Sequence, residues 1–292
     1  MCIIMSSIFI TGTTSGIGAE MLDILSKTDT NTIVCGNRSG ETPLDMSSMD
    51  SINVFVETHK SKSFDIVILN AGTKATRKLV SWNGKSLNQC RVVNLIANDY
   101  ILQEMTKRNM IAKNAKIVLV SSITHWYAED NPNPTTSDTD PTNTEWANQQ
   151  YSNTKLGMFF LGRKMKNLNP NYDIIIINPG MVSTKIFGDN DAASFVSKMI
   201  RTVREFLSFT PSESAEYMVR SILSENADKT KEFRYFTPHQ TLGIFGYYEN
   251  TQILQDILGK RLLNRHEMDT DNFSSRVVNK TVEDNYNRYM SA

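Results

Sequence analysis

Tyr151 and Lys155 stand four residues apart in Tyr151-Ser152-Asn153-Thr154-Lys155. On a helix that spacing brings a phenol and an ammonium to one face, where their polar ends can converge on a single substrate atom. A free phenol titrates near ~10, too high for easy proton exchange at neutral pH, and a neighbouring positive charge favours the phenolate. The pair therefore reads as a proton-transfer device, with lysine tuning tyrosine. About 140 residues earlier lies Thr11-Gly12-Thr13-Thr14-Ser15-Gly16-Ile17-Gly18, a glycine-rich turn of the kind that receives a dinucleotide pyrophosphate.

Both signals need particular elements around them. The apolar run Ile8-Phe9-Ile10 leads into the glycines, and Ile17, Met21, Leu22, Ile24 and Leu25 follow at helical spacing, which is the strand-turn-helix context the motif requires. Gly12 allows a sharp exit from the strand, Gly16 lets the backbone approach phosphate, and Gly18 lets helix and sheet pack closely. The start of the helix offers free N–H donors and the positive end of its dipole. A second apolar strand, Lys116-Ile117-Val118-Leu119-Val120, ends in Ser121-Ser122, placing hydroxyls at a carboxyl strand end where open α/β sheets hold their chemistry. Asn94 is polar within an otherwise apolar helical stretch, Val92, Val93, Leu95, Ile96, Tyr100 and Ile101; it either holds a structural hydrogen bond or positions a water.

Taken in order, these motifs resemble the short-chain dehydrogenase/reductase family. The resemblance runs from Ser6 to Glu225 and also includes Asp45, Asn70-Ala71-Gly72 after Ile66-Val67-Ile68-Leu69, and Asn178-Pro179-Gly180 with Thr184. It implies a catalytic tetrad of Asn94, Ser122, Tyr151 and Lys155. Tyr151 would move the proton, Ser122 would hydrogen-bond the substrate oxygen, Lys155 would lower the phenol pKa and hold the nicotinamide ribose, and Asn94 would hold a water of the relay. The resemblance further implies Gly12, Thr14, Ser15, Gly16, Ile17 and Gly18 around the pyrophosphate, and Asp45 against adenine. It sets Asn70, Ala71 and Gly72 beside the adenosine, Tyr151 and Lys155 at the nicotinamide ribose, and Pro179, Gly180, Val182 and Thr184 at the nicotinamide amide.

The end of the second strand, Thr32-Ile33-Val34-Cys35-Gly36, bears on the choice of cofactor. An acidic residue there accepts from a ribose 2′-OH, whereas a basic one pairs with a 2′-phosphate. Asn37 and then Arg38 follow, with no carboxylate before Glu41, which favours NADP over NAD. Six residues separate Arg38 from Asp45, too few for the usual helix and strand, so the third strand is expected to be vestigial and the helix before it absent. The stretch from Trp126 to Gln150 is rich in Pro, Thr, Asn and Asp and lacks periodicity; it reads as a long loop between Ser122 and Tyr151, either facing substrate or a plain insertion. His125 and Trp126 are close enough in sequence to Ser122 to line a pocket.

Strands are expected near residues 5–11, 32–36, 65–69, 116–121, 173–178 and 233–237, alternating with helices near 16–27, 49–60, 86–110, 151–168 and 211–225. Such alternation calls for a Rossmann-type, doubly wound parallel sheet. The continuous run Ile174-Ile175-Ile176-Ile177 suits a strand covered on both faces, and Thr210-Pro211-Ser212-Glu213 is a capping box with proline at the first helical position. With 292 residues and 40% hydrophobic content, one α/β domain with an elaboration is the simplest organisation. The resemblance implies, within it, a cofactor-binding and catalytic core over 1–184, a lid and last strand over 185–265, and a tail over 266–292. The segment after Thr184 carries Phe187, Phe195, Met199, Phe206, Leu207 and Phe209, with Phe245, Tyr247 and Tyr248 beyond it, apolar and aromatic side chains that serve either as core or, in the lid that the resemblance implies, to receive a lipophilic carbonyl or alcohol. Loop length and the helix start at Thr210 look most like the retinol dehydrogenase and protochlorophyllide reductase branches. The polar tail, ending in Asn285-Tyr286-Asn287-Arg288-Tyr289, reads as a short helix on a partner subunit or a loose end. Pairing through the two long helices, common in the family, implies a homodimer or homotetramer.

The 31 basic and 31 acidic residues balance, leaving no excess to suggest nucleic acid or an anionic membrane as partner. Cys2, Cys35 and Cys90 are odd in number and scattered, and the four histidines do not cluster, so neither disulfide framework nor metal site is expected and a reducing cytoplasm is the natural location. Met1-Cys2-Ile3-Ile4-Met5 is too short to span a bilayer and lacks a basic lead; the sequon at Asn272 then carries no meaning. An NADP-dependent oxidoreductase that transfers hydride to or from an apolar carbonyl or alcohol is the leading expectation. A C=C or ring reductase and a cofactor-sensing binding protein without turnover are the alternatives.

Overall fold

The computed structural model describes residues 6–27, 32–132, 144–180, 182, 209–224, 233–241, 244–249 and 279–291. Thr184, the aromatics from Phe187 to Leu207, Cys2 and the sequon at Asn272 lie outside them. So do the side chains of Phe245, Tyr247 and Tyr248.

Seven strands form the main sheet: β1 (Ser7–Thr11), β2 (Thr32–Gly36), β3 (Phe64–Leu69), β6 (Ile111–Val120), β7 (Asp173–Ile177), β8 (Arg234–Thr241) and β9 (Ile244–Glu249), in the order β2-β1-β3-β6-β7-β8-β9. The first six run parallel and β9 closes the edge antiparallel to β8. Helices α1 (Gly16–Ser26) and α6 (Pro211–Leu223) cover one face. On the other lie α2 (Met49–Thr58), α4 (Ala97–Lys107) and α5 (Thr144–Leu168). Strand residues divide strictly between the layers, as the period of two demands. Phe9, Val67, Leu69, Ile117, Leu119, Ile174 and Ile176 pack toward α2, α4 and α5, while Ile8, Ile10, Ile66, Ile68, Val118, Ile175 and Ile177 pack toward α1 and α6. Consecutive isoleucines in β7 are the extreme case, with all five of its residues buried.

Four departures from the expected pattern have local causes. No strand forms between Gly36 and Phe64 among the described residues, so the third strand is missing rather than vestigial and β2 is the sheet edge. Leu44 N–H instead donates to the Asn37 carbonyl at 2.8 Å, and Leu44 and Met46 enter the core from an irregular segment. Secondly, the expected helix from 86 to 110 begins as a hairpin, β4 (Leu79–Trp82) with β5 (Lys85–Asn88), turned by Asn83 and Gly84 at φ 49° and 74°. Positive φ at both central residues is what Asn-Gly supplies in a two-residue hairpin turn. Helix α3 (Gln89–Arg91) follows and passes through a π-helical turn, Val92–Ile96, into α4. Thirdly, α5 starts at Thr144 rather than 151, drawn in by Ala147 and Gln150, which are buried. Fourthly, the tail carries α7 (Lys280–Met290), capped by Asn279 and buried through Val282, Tyr286 and Tyr289 against this chain's own core. No described helix is long and apolar enough to cross a membrane.

Strand β8 is held to β7 by a buried, two-pronged ion pair: Arg234 Nε and Nη2 donate to the Asp173 oxygens at 3.1 and 2.6 Å. Truncating one partner leaves the other charge buried and alone. Asp173→Ala should lower the unfolding free energy by roughly 3–5 kcal/mol, read as a fall in the urea midpoint; a loss below ~1 kcal/mol, the ceiling for exposed pairs, would show that Arg234 reaches solvent.

Candidate active site

Going outward from β1, the chain places β2 on one side and β3 on the other, so the crevice between their carboxyl ends is the point at which doubly wound sheets take ligands. The glycine turn occupies that crevice. Gly12 and Gly16 have φ of 73° and 60°, and a Cβ on Gly12 would stand 2.8 Å from the Ala71 Cα. On Gly18 it would lie 2.0 Å from the Gly12 carbonyl oxygen and 2.5 Å from Asn70 Nδ2. Helix α1 thus begins as close to the strand ends as backbone permits. Ser15, its N-cap, makes no side-chain capping bond, and the first turn holds no acidic residue, an arrangement that favours an anion at the helix start.

Asn70 and Ala71 hold this turn in place. The fully buried Thr11 hydroxyl accepts from both their N–H groups at 3.0 and 2.9 Å, and Asn70 Nδ2 donates to the Thr11 and Gly12 carbonyls at 3.0 and 3.2 Å. Asn70 is therefore a knot between two loops. The Thr11 hydroxyl received no role from sequence; its signal was a threonine ending an apolar strand directly before the glycines.

At the end of β2, Asn37 Nδ2 donates to Thr13 Oγ1 at 2.9 Å and the Asn37 Oδ1 accepts from Ser39. Arg38, largely exposed, pairs with the half-buried Asp45 at 3.2 Å. The Asp45 carboxylate also accepts from the Ser47 N–H and hydroxyl at 2.8 and 2.7 Å. Burial raises its pKa, but Ser47 and Arg38 prevail and leave it below the usual value. Sequence separated Arg38 from Asp45, yet the missing strand brings them together.

Ends of the next strands assemble the polar set. Ser121 and Ser122 leave β6 and divide: the buried Ser121 hydroxyl donates to the Lys155 carbonyl at 2.8 Å, pinning α5, whereas the Ser122 hydroxyl accepts from the Thr124 N–H at 3.3 Å and is close enough to the Tyr151 phenol to favour its ionised form. Lys155 is buried, donates from Nζ to the Val120 carbonyl at 3.1 Å, and sits 5.4 Å from the centre of the Tyr151 ring. Asn94, inside the π turn, is 2% exposed; its Oδ1 accepts from the Thr73 N–H at 2.7 Å and its Nδ2 donates to the Thr73 carbonyl at 2.9 Å and the Cys90 sulfur at 3.1 Å. Its side chain clamps the segment after β3, and its carbonyl accepts from Asn98 Nδ2 at 2.9 Å. Gly72 adjoins it, since a Cβ there would be 3.3 Å from Asn94 Oδ1.

Electrostatics here run against the simple expectation for the phenol. Burial pushes Tyr151 up to about 12, with Ser122 opposing and Cys90 adding; the ammonium, above the ring face rather than beside the oxygen, does not bring it down. Lys155 falls to about 8, again through burial. Cys90, fully buried between Asn94 and Lys155, rises to about 12. Sequence had read Cys90 only as a scattered cysteine. His125, offered as a pocket residue, is fully buried: its Nδ1 bonds the Ser122 carbonyl and its ring packs on Phe159 and Tyr235. It supports the floor of the site. Pro179 and Gly180 follow β7, their turn fixed by Gly180 N–H donating to Asn178 Oδ1 at 3.1 Å and Ser214 Oγ donating to the Pro179 carbonyl at 2.9 Å; Val182 bridges to Phe209.

A crevice at the switch point, a glycine turn and a Ser/Tyr/Lys/Asn cluster define a Rossmann-type nucleotide-dependent enzyme class. The model of the NAD dependent epimerase/dehydratase family matches residues 8–217, and the chain belongs to this family of short-chain dehydrogenase/reductase-like proteins. Among solved structures, it is similar to a short chain dehydrogenase/reductase from Saccharomyces cerevisiae (17% identity, TM-score 0.59, 79% of this chain and 94% of that one). It is also similar to an NADPH-bound carbonyl reductase from chicken fatty liver (18%, 0.52, 79% and 96%). A protein from Mycobacterium Paratuberculosis aligns over 97% of this chain and 93% of its own, at 16% identity and TM-score 0.59. No curated protein sequence matches the chain.

The contact between Gly18 and Gly12 makes a direct test of the turn. Gly18→Ala should weaken dinucleotide binding at least about tenfold, ~1.4 kcal/mol, by calorimetric titration; unchanged affinity would remove the turn from the binding site.

Proposed function

We propose that the chain is an NADP-dependent oxidoreductase that transfers a hydride between nicotinamide and an apolar carbonyl or alcohol, with Tyr151 handling the proton. One observation carries the reading: Ser122, Tyr151, Lys155 and Asn94 gather at the carboxyl ends of the central strands, next to a glycine turn built for a dinucleotide. The residues fit such a cofactor. Gly12, Gly16 and Gly18 would hold its pyrophosphate against the first turn of α1, Arg38 its 2′-phosphate, and Lys155 its nicotinamide ribose. When bound, the nicotinamide supplies or accepts the hydride.

The protein's own groups then do the rest. Ser122 orients the substrate oxygen toward Tyr151. With its pKa near 12, the phenol is fully protonated at neutral pH and serves as a proton donor, the form that carbonyl reduction requires. The charge left on the phenolate is met by the Lys155 ammonium, whose distance from the oxygen shortens as the side chain swings from the ring face to the ring edge. Asn94 holds the Thr73 segment against this cluster. Ile123 and Tyr127, 46% and 62% exposed, rise from the 3₁₀ turn directly after Ser122, and such an apolar rim favours a lipophilic substrate.

NADP is favoured because the Arg38–Asp45 pair is solvent-exposed and weak, so the guanidinium can leave its carboxylate for a phosphate. NAD is the second reading, favoured by the same Asp45 carboxylate standing where a ribose hydroxyl could be accepted. The NADPH bound to the chicken carbonyl reductase supports the first.

Oxidation of NADPH and NADH, each followed with a panel of apolar ketones and aldehydes, tests the assignment. Tyr151→Phe should lower turnover by roughly 10²–10⁴-fold with the NADPH dissociation constant within about twofold; an active Phe variant would refute the role. NADPH binding by the wild type without turnover on any substrate would favour the sensing alternative, and products reduced at C=C the other. In reduction, kcat should stay level while Lys155 is charged and fall as pH rises past about 8. Because its folded pKa lies below the ordinary lysine value of 10.5, the buried ammonium costs stability at low pH. That cost disappears between about 8 and 10.5, so the protein should gain stability there while losing turnover; parallel loss of both would show that the decline is unfolding.

A further inference from the structure

Helix α7 ends against both helices that carry the site. The Tyr289 hydroxyl donates to Gln150 Oε1 at 2.6 Å, and Gln150, 2% exposed, directly precedes Tyr151 in α5. From the other side, Arg91 donates to the Tyr289 carbonyl through Nε at 3.2 Å and Nη2 at 2.7 Å, and its guanidinium lies 4.4 Å from the centre of the Tyr289 ring. Arg91 is 1% exposed, adjoins Cys90 and precedes Asn94 by three residues. One residue near the end of the chain thus touches, at once, the element bearing Asn94 and the element bearing Tyr151 and Lys155.

Packing alone does not account for these polar contacts. Val282, Tyr286 and Met290 already bury the apolar face of α7, and phenylalanine at 289 would fill the same space. The carbonyl of residue 289 belongs to the last helical turn, where carbonyls lack intrahelical partners and the dipole is negative, so a buried guanidinium is well placed to satisfy it. A buried cation and a buried hydroxyl are directional, and together they fix how far apart the two helices stand.

We propose that Tyr289 is a positioning residue for the reaction: a clamp that sets the separation between Asn94 on one helix and Tyr151 with Lys155 on the other. The inference rests on the oxidoreductase reading above. Misplacement of reacting groups by an ångström costs up to about a hundredfold in rate. Loss of one of the clamp's links should act in that direction but more mildly.

Tyr289→Phe removes the hydroxyl and with it the bond to Gln150, keeping the ring, the carbonyl and the Arg91 contacts. Tyr100→Phe is the control, since the Tyr100 hydroxyl donates at 2.7 Å to Asn53 Oδ1 on α2, a helix that carries none of the polar cluster. Tyr289→Phe should lower kcat about tenfold with the NADPH dissociation constant within about twofold, while Tyr100→Phe keeps kcat near wild type at a comparable loss of thermal stability. Amide hydrogen exchange should quicken over residues 147–153 in Tyr289→Phe and remain as in wild type over residues 89–96, a readout independent of turnover. Equal kcat in the two variants, a kcat loss matched by weaker NADPH binding, or unaltered exchange over 147–153 would each overturn the clamp. Wild-type protein without turnover, combined with quickened exchange in Tyr289→Phe, would sink the enzymatic reading and leave the clamp as a structural tie.

Discussion

One ammonium group inside the protein organises the candidate site. Among the described residues, the buried Lys155 ammonium has the Val120 carbonyl at 3.1 Å as its oxygen partner, with the face of the Tyr151 ring 5.4 Å away. A buried charge so sparsely solvated loses its proton easily, and its pKa of about 8 expresses that cost. The same burial that loosens the lysine proton tightens the phenol proton. Two groups whose ordinary values differ by only half a unit, 10.0 and 10.5, are thereby driven apart to about 12 and about 8. Divergent values in adjacent groups are the usual mark of an acid and a base given separate tasks.

The scaffold that makes this burial possible is the parallel sheet. Because β1, β3, β6 and β7 are in register at their carboxyl ends, with Ile10 opposite Ile68, Leu69 opposite Leu119 and Val120 opposite Ile177, the segments leaving them emerge at one level. Thr11, Asn70, Ser121 and Asn178 each use a side chain to tie one of these exits to a neighbouring element. The polar side chains at the strand ends are thus mostly joinery, and Ser122 at the end of β6, facing Tyr151 and Lys155 from α5, stands out by contrast.

Much of this was legible in the sequence because it depends on local rules. The glycines at 12, 16 and 18, the four-residue step from Tyr151 to Lys155, and the isoleucines of β7 are dictated by backbone sterics and by the periods of helix and strand. The capping box at Thr210 is another such local signal: its hydroxyl accepts from the Glu213 N–H, and the Glu213 carboxylate accepts in return from the Thr210 N–H. What escaped depends on partners distant in sequence. The start of α5 at Thr144 is fixed by burial of Ala147 and Gln150, and α7, which reads from sequence as a short helix on a partner subunit or a loose end, packs on this chain's own core through Val282, Tyr286, Tyr289 and Met290. The hairpin at Asn83-Gly84 is a different kind of miss. Its signal was local and strong, and the helical spacing of the residues after it obscured it. The direction of the Tyr151 shift was misjudged because helix spacing places Lys155 on the right face without saying whether its nitrogen meets the ring or the oxygen.

Removal of a strand links fold to specificity. With β2 as the sheet edge, the segment from Asn37 to Ser48 must satisfy itself, and it does so through Asp45, which accepts from Ser47 twice and from Arg38 once. The residue that would contact adenine and the residue that would contact a 2′-phosphate have become each other's partner. Such an exposed pair is worth at most about 1 kcal/mol, whereas a bidentate contact between guanidinium and phosphate is stronger and geometrically specific. The balance therefore favours exchange of partners when a phosphate arrives. Released from Arg38, the Asp45 carboxylate keeps its two bonds from Ser47 and so stays anchored, and the edge loop can admit a charged ligand without unfolding.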